Sequence, residues 1–323
     1  MPVVLLYCLK LSLSLAIIAV FYQLVLRKLT FYNWNRAYLL LYTALCFYIP
    51  FIDISPVLEQ GHWKDNALVQ WVPVIHDTAG SGAATAAPVT FFTARNILLL
   101  IIAAGIFIML CRLLVQVISF QRMRRRASYI PGYRVKLYEV NDSIIPFSFG
   151  NAIFINPGLH TEEELKEIIT HEFVHVKQRH SIDIIWGEVL CLLNWYNPFA
   201  WLLKKAIRQN LEYIADDKVL QNGINKKEYQ YLLLKVIGNT QFSIANQFNF
   251  SSLKKRIAMM NKLKTTNKHL VKFLFVLPVL AIILLSFRKH RGDERAGSLY
   301  NSEGQLIFTD TIPEPVKLPG EIA

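Results

Sequence analysis

The sequence predicts an α-helical membrane protein of four transmembrane helices, with one mainly helical α+β domain between the third and the fourth. Three observations predict it. Hydrophobic residues fill 53% of the 323 positions and charged residues only 18%, less charge than a soluble chain of this length carries. The apolar residues gather in runs long enough to cross a bilayer. Residues 127–268, a stretch of ordinary domain size, open with strand-like alternation and continue with helical periodicity.

The first span covers about 3–26. No basic segment precedes it, and Arg27 and Lys28 follow it, which marks an uncleaved span with its N-terminus outside and not a signal peptide. The second, about 37–52, follows Arg36 and carries Tyr38, Tyr42, Phe47 and Tyr48, aromatic residues suited to a membrane interface. Residues 53–92 contain Asp53, Glu59, Asp65 and Asp77 against one lysine and no arginine, and 79–88 is rich in Gly, Ala, Ser and Thr; this is an extracytoplasmic loop. The third span, about 97–118, ends in Arg122, Arg124, Arg125 and Arg126, a cytoplasmic anchor. Arg112 inside it either snorkels or lines a helix bundle. Together, 1–126 form the three-span membrane region.

The domain at 127–268 is therefore cytoplasmic. Tyr133–Val140 alternates apolar and charged residues as a strand does, and Ala152–Ile155 is a second strand. A basic stretch, Ser251–Lys272, leads into the fourth span, 269–287, and a short extracytoplasmic tail follows at 288–323. Arg288, Lys289 and Arg291 stand against that orientation, but the basic residues on the cytoplasmic side outnumber them. The net charge of +12 is this positive-inside bias. No basic, aromatic-interleaved motif suggests nucleic acid. Cys8, Cys46, Cys111 and Cys191 all lie in apolar stretches without a C-x-x-C, which excludes a disulfide framework.

Chemistry concentrates at two places. Residues 171–175 read His171-Glu172-Phe173-Val174-His175, and Thr161-x-x-Glu164 ahead of them forms a capping box for a helix that runs through both histidines. At i and i+4 the two imidazoles share a face and can hold one metal ion, with Glu172 beside them as a base. Glu212-Tyr213-Ile214-Ala215-Asp216 follows on a second helical pattern. Glu212 is the expected third ligand, and Asp216, one turn later, is expected to hydrogen-bond a ligand histidine. His180 is the rival ligand, but the metzincin pattern needs a glycine turn and a histidine one position later, so His180 is expected behind the ligands. Three protein ligands leave one position of a Zn2+ ion open, the arrangement of a hydrolytic site in which Glu172 is the catalytic base. Arg208, Tyr196 and Tyr213 are candidates to stabilise an oxyanion. The apolar stretch 184–203 resembles a further span, but Glu188 and Asn197-Pro198 mark it as a helix of the domain.

With these residues placed, the chain resembles the BlaR/MecR family of regulatory membrane zinc peptidases. Ile145-Pro146-Phe147-Ser148-Phe149-Gly150 with the strand after it carries the resemblance, as do His171–His180 with Asp183, Asn194-Trp195-Tyr196-Asn197-Pro198, and Glu212–Asp216. The resemblance implies a gluzincin-type fold for the cytoplasmic domain. It also implies a substrate-binding edge strand, expected at Ala152, Ile153, Phe154 and Ile155, and His180 and Asp183 as supports of the metal ligands. Family members sense an extracytoplasmic signal and cleave a cytoplasmic repressor or themselves; Lys254-Lys255-Arg256 is placed for self-cleavage or, on the plainer reading, is a membrane anchor. The tail holds no S-x-x-K motif, so β-lactam sensing by this chain alone is not expected.

The expectation is a membrane-embedded regulatory zinc endopeptidase in a bacterial plasma membrane, multi-pass, with its peptidase domain in the cytoplasm. Its expected partners are a cytoplasmic protein substrate such as a DNA-binding repressor, the lipid bilayer and a second copy in a homodimer; direct nucleic acid binding is not expected. The same motif pair occurs in CAAX prenyl proteases and heat-shock peptidases, so a housekeeping membrane protease is one alternative. A non-enzymatic signal transducer with structural zinc is the other.

Overall fold

The computed structural model describes residues 3–52, 93–133, 135–238 and 243–287, with four single positions between 54 and 72. The expected loop at 53–92 and tail at 288–323 lie outside the described residues, apart from those positions.

Helix α1 (Val3–Phe21) continues through a π-helical turn, Tyr22–Leu26. Helix α2 (Tyr32–Tyr48) folds back along it, with the Tyr38 hydroxyl donating to the Ile18 carbonyl and the Tyr7 hydroxyl to that of Phe47, both at 3.0 Å. Helix α3 (Ala94–Arg126) is the long third one. Among the described residues three helical stretches are long and apolar enough to cross a membrane: Val4–Leu26, Asn96–Arg126 and Asn267–Ser286. The second expected span is not among them. Its helix begins five residues earlier than expected, at Tyr32, takes in Asn33, Asn35 and Arg36, and ends at Tyr48 before Pro50. Its polar first turns are held by the domain instead of by water: Asn210 donates to the Tyr32 carbonyl at 2.9 Å, and Arg36 pairs with Asp183 at 2.6 Å.

A small sheet follows α3. Strands β1 (Ser128–Ile130), β2 (Lys136–Glu139), β3 (Phe147–Phe149) and β4 (Ala152–Ile155) lie in the order β1-β2-β4-β3. Strand β4 pairs parallel with β2, Leu137 opposite Ile153, and antiparallel with β3, Ser148 opposite Ile153. This corrects one expectation. Ala152, Ile153, Phe154 and Ile155 are all buried in an interior strand whose ladders are both filled, so none of them can take an added strand. The apolar run reads the same way in either place, because a strand covered on both faces loses its alternation. The free edge beside the helix Glu162–Lys177 is β3. Gly150 adopts φ +62° at the first position of the two-residue turn from β3 to β4, where an L side chain is strained, and its N–H donates to Ser181 at 2.8 Å.

The remaining helices are α4 (Glu162–Lys177), α5 (His180–Leu193), α6 (Pro198–Gln221), α7 (Lys226–Gly238), α8 (Ser243–Met260), α9 (Val271–Leu274) and α10 (Val276–Ser286). The apolar stretch 184–203 breaks into a hairpin of α5 and α6. Asn197 caps α6 by accepting from the Phe199 N–H at 2.9 Å, with Pro198 at the first helical position. The hairpin shares one core with α1 and α2, in which Leu15, Ile18, Leu39, Leu190, Leu203 and Leu211 are buried. Its tip reaches α3: the Trp195 indole donates to the Ile102 carbonyl at 3.3 Å and covers Gly105, where a Cβ would come within 2.0 Å of the ring. A second core joins β2 and β4 to α4, α6, α7 and α8 through Leu137, Ile153, Ile168, Val219, Leu232 and Leu253. The site lies between these two cores.

Candidate metal centre

Helix α4 starts from the expected capping box. Thr161 accepts from the Glu164 N–H at 3.3 Å, and Glu164 accepts from the Thr161 N–H at 3.2 Å. Two turns further on, α4 turns His171 and His175 toward α6, which presents Glu212. The donor atoms of these three residues all lie within 4.8 Å of one another. The Nε2 atoms of the two histidines are 3.2 Å apart, and the Glu212 carboxylate is 3.5 Å from His171 and 3.9 Å from His175. Ligands about 2.0–2.1 Å from a tetrahedral ion are roughly 3.3 Å from each other, so the trio fits a zinc-sized cation with little movement.

The other ring nitrogens fix the tautomers. The Tyr229 hydroxyl donates to Oδ1 of Asp216 at 2.8 Å and lies 2.7 Å from Nδ1 of His171. A hydroxyl that donates its one proton to Asp216 accepts from His171, so Nδ1 carries the proton and Nε2 is left as a lone pair. On the other histidine, Nδ1 lies 2.8 Å from Nδ1 of His180, whose Nε2 is 3.3 Å from the Gln178 side-chain oxygen. Burial and the neighbouring His175 push the His180 pKa down to about 3, so its ring is neutral and can accept from His175. Both Nε2 atoms are therefore the ring nitrogens left to bind a cation beside Glu212, the donor set of a metal site and not of a histidine pair that merely fills space.

Arg256, from α8, completes the centre. It donates from Nε and Nη2 to Asp216 at 2.9 and 2.6 Å, and its Nη1 lies 2.9 Å from Glu212. Burial alone would push the Glu212 carboxyl up, but Arg256 and the two histidines outweigh it and hold it well below the usual carboxylate range. Burial, and then Arg256, lower His171 as well, and Glu212 and Asp216 together more than offset that, leaving His171 above its ordinary value. His175 stays below its ordinary value, chiefly through burial.

Three expectations change in detail. Asp216 was expected to bond a ligand histidine directly; its oxygen is 3.6 Å from His171, and Tyr229 bridges the gap. Asp183 was expected beside the ligands; it pairs with Arg36, and connects to His175 only through Arg36, Gln178 and His180. Of the oxyanion candidates, Arg208 lines the cavity but pairs with Glu188 at 2.6 Å, while Tyr213 packs against Tyr32 away from the cavity. Tyr196 does not line it either. Glu172 does, with His171, His175 and Glu212, and the space beside them measures about 710 Å³.

Tyr229 and Arg256 were missed. Lys254-Lys255-Arg256 reads as a basic run, yet Arg256 is only 6% exposed and lies mid-helix, unsuited to self-cleavage at that position. The signal was in the spacing: Leu253, Arg256, Ile257 and Met260 follow i, i+3, i+4, i+7, which sets the arginine on the apolar face. Tyr229, Leu232, Leu233 and Val236 repeat that pattern in α7.

The BlaR1 peptidase M56 family model matches residues 4–260, most of the chain. The chain belongs to the BlaR1 peptidase M56 family. That family is one of BlaR/MecR-type metallopeptidases, and the family match together with the apolar helices points to a membrane protein. The chain is 28% identical over 167 residues to the regulatory protein BlaR1 of Staphylococcus aureus, covering 47% of this chain and 28% of that protein. It is 27% identical over 121 residues to BlaR1 of Bacillus licheniformis, covering 34% of this chain and 20% of that protein. The matched stretch spans less than a third of either M56 relative.

Proposed function

We propose that this chain is a regulatory zinc endopeptidase of the plasma membrane that hydrolyses a cytoplasmic regulator, such as a DNA-binding repressor, and is itself a further substrate, in response to an extracytoplasmic signal. The observation that carries the reading is the convergence of two Nε2 lone pairs and the Glu212 carboxylate beside Glu172 in one cavity. The BlaR1 relatives are named regulatory proteins, which favours a regulatory over a housekeeping role.

His171, His175 and Glu212 would hold the ion. When bound, zinc supplies a Lewis acid and lowers the pKa of a water at the open position. Glu172 takes a proton from the water that attacks the scissile carbonyl and gives it to the leaving amine as the C–N bond breaks. Strand β3 binds the substrate backbone by strand addition, in place of the interior β4. His180 and Asp183, through Gln178 and Arg36, hold His175 in its tautomer.

In this reading the gluzincin-type domain faces the cytoplasm, carried by the spans at α1, α3 and Asn267–Ser286. Helix α2, at 17 residues shorter than the other three, is proposed as the fourth crossing, packed against α1 with Arg36 at the inner face. Two copies associate in the membrane. The deciding experiment compares the proteome of the native host with that of a Glu172→Gln strain. The proposal expects a cleaved soluble regulator only in wild type, while purified Glu172→Gln protein keeps about one zinc per chain. Equal cleavage in both strains would remove Glu172 from the mechanism, and an unchanged signalling phenotype would favour the non-enzymatic transducer.

A further inference from the structure

The cavity does not end at the metal centre. It continues along α6, where its far wall is built from Lys204, Lys205, Arg208, Ile184 and Trp201. Three cations line that wall, and no acidic residue does. Their one carboxylate lies behind it: Glu188 of α5 accepts from Lys204 at 2.5 Å and from Arg208 at 2.6 Å. A single carboxylate shared by two cations leaves one positive charge over. Lys205 adds another, since among the described residues it has no ion-pair partner. At the metal end, by contrast, Arg256 is matched by Asp216 and Glu212. The excess positive charge is thus confined to one end of the cavity.

The surroundings sharpen the point. Lys204 and Glu188 are partly buried and offset each other, while Lys205 and Arg208 are exposed on the α5–α6 hairpin, whose buried residues pack against α1 and α2. Lys204, Arg208 and Glu212 lie at i, i+4 and i+8, on one stripe of the helix. Arg208 is therefore about 6 Å along the axis from the metal ligand Glu212. An extended peptide advances about 3.3 Å per residue, so a side chain two residues from the scissile bond meets Arg208, and one three residues away meets Lys205, about 10 Å along the helix from Glu212.

We propose that this wall, Lys204, Lys205 and Arg208 backed by Glu188, is a specificity subsite for a carboxylate side chain, Asp or Glu, two to three residues from the scissile bond. The inference rests on the peptidase reading and names the substrate class for it. Glu188 orients Lys204 and Arg208 and, as one carboxylate between two cations, leaves one positive charge unmatched. Lys205, exposed and unpaired, is the group that gains most when the acidic side chain arrives.

The test uses the full-length zinc-loaded protein in detergent and a library of proteome-derived peptides whose cleavage sites are read by mass spectrometry, with Glu172→Gln as the blank. The expected result is enrichment of Asp and Glu at one position within three residues of the cut. Between a cleaved peptide and its Gln counterpart, kcat/KM should fall roughly two- to fivefold, as expected for loss of an exposed ion pair. Lys205→Glu removes no ion pair among the described residues, and should abolish the preference, bringing kcat/KM for the acidic peptide down to or below that for its Gln counterpart. Arg208→Glu combined with Lys205→Glu should move the preference to Lys and Arg, a gain that a misfolded protein cannot show. Cleavage without acidic enrichment, or an enrichment that survives both variants, overturns the subsite and leaves the peptidase reading standing. No cleavage beyond the Glu172→Gln blank overturns both. If acidic enrichment is absent but phosphatidylglycerol vesicles alter the activity of wild type and not of Lys205→Glu, the wall takes a lipid phosphate, and the proposal is likewise overturned.

Discussion

The Tyr229 hydroxyl lies 2.7 Å from Nδ1 of His171 and donates a hydrogen bond to Asp216 at 2.8 Å. One phenol thus sets the tautomer of a candidate metal ligand and connects α4, α6 and α7. Tyr229→Phe keeps the ring in the second core and removes only the oxygen. Zinc affinity should fall by about 10- to 100-fold, the usual effect of losing a hydrogen-bond partner behind a metal-binding histidine. A chelator competition on the purified protein measures it. An unchanged zinc affinity would mean that His171 holds its tautomer without Tyr229.

Arg256 is a buried cation between two carboxylates, and its removal leaves Asp216 and Glu212 facing each other unneutralised. Arg256→Met should therefore cost about 3–5 kcal/mol of stability. Thermal unfolding of the metal-free protein in detergent reads the loss. Arg256→Lys retains the charge but not the fork that grips both oxygens of Asp216, so it should recover part of the stability and less of the zinc affinity. Equal melting temperatures for wild type and Arg256→Met would show that the ion pairs contribute nothing net.

These two residues mark where sequence reasoning ran out. The capping box, the histidine pair and the E-x-x-A-D motif are local patterns, and helical periodicity alone brings each set onto one face. The Arg256–Asp216 pair joins residues forty positions apart, and nothing local distinguishes a buried arginine within a basic run from its exposed neighbours except the apolar spacing around it. The strand order was illegible for a related reason. Ala152–Ile155 is apolar throughout, and an edge strand against a helix and an interior strand both present that pattern to a reader of sequence. Helix α2 was placed from its apolar centre, while its true start depends on Asn210 and Asp183, which lie far along the chain.

Arg36 and Asp183 connect α2 to α5 through two hydrogen bonds, and Asp183 is 2% exposed. Arg36→Met strands a buried carboxylate and should destabilise the protein by about 3–5 kcal/mol. The double variant Arg36→Met, Asp183→Leu removes both charges and should regain most of that loss. A double-mutant cycle on thermal unfolding separates the two cases. Purely additive effects would show that α2 is not held to the peptidase domain by this pair.

Glu164 begins α4 and also accepts from Lys235 of α7 at 2.6 Å. That hydrogen bond, with the capping contact to Thr161, holds its carboxyl below the ordinary value against the opposing effect of burial. A depressed carboxyl stabilises the fold above its unfolded-state pKa, and the contribution is lost as the pH falls through the folded-state value. Wild type should therefore exceed Glu164→Gln in stability at pH 7, by about 0.5–1 kcal/mol for a surface pair with a helix cap. The gap should close below the usual carboxylate range near pH 4. Melting curves of both proteins from pH 3 to 8 test it, and a gap that widens on acidification would reverse the sign of the argument.

The β3–β4 turn has two residues, so Phe149 and Ala152, paired across its base, exchange hydrogen bonds with each other. The next pair, Ser148 opposite Ile153, does not, and the Ser148 N–H and carbonyl consequently face the free edge beside α4. If substrate adds there as a strand, Ser148→Pro removes one donor from the recognition ladder and none from the sheet. Cleavage of a peptide substrate should lose at least about tenfold in kcat/KM, the order of one hydrogen bond left unmade, with most of it in KM. Zinc content should stay unchanged, because no metal ligand or ligand partner lies on β3. Ser148→Ala keeps the N–H and should behave as wild type, which separates the backbone contact from any effect of the side chain. Equal losses in the two variants would assign the effect to the hydroxyl, and no loss in either would mean that substrate does not bind along this edge.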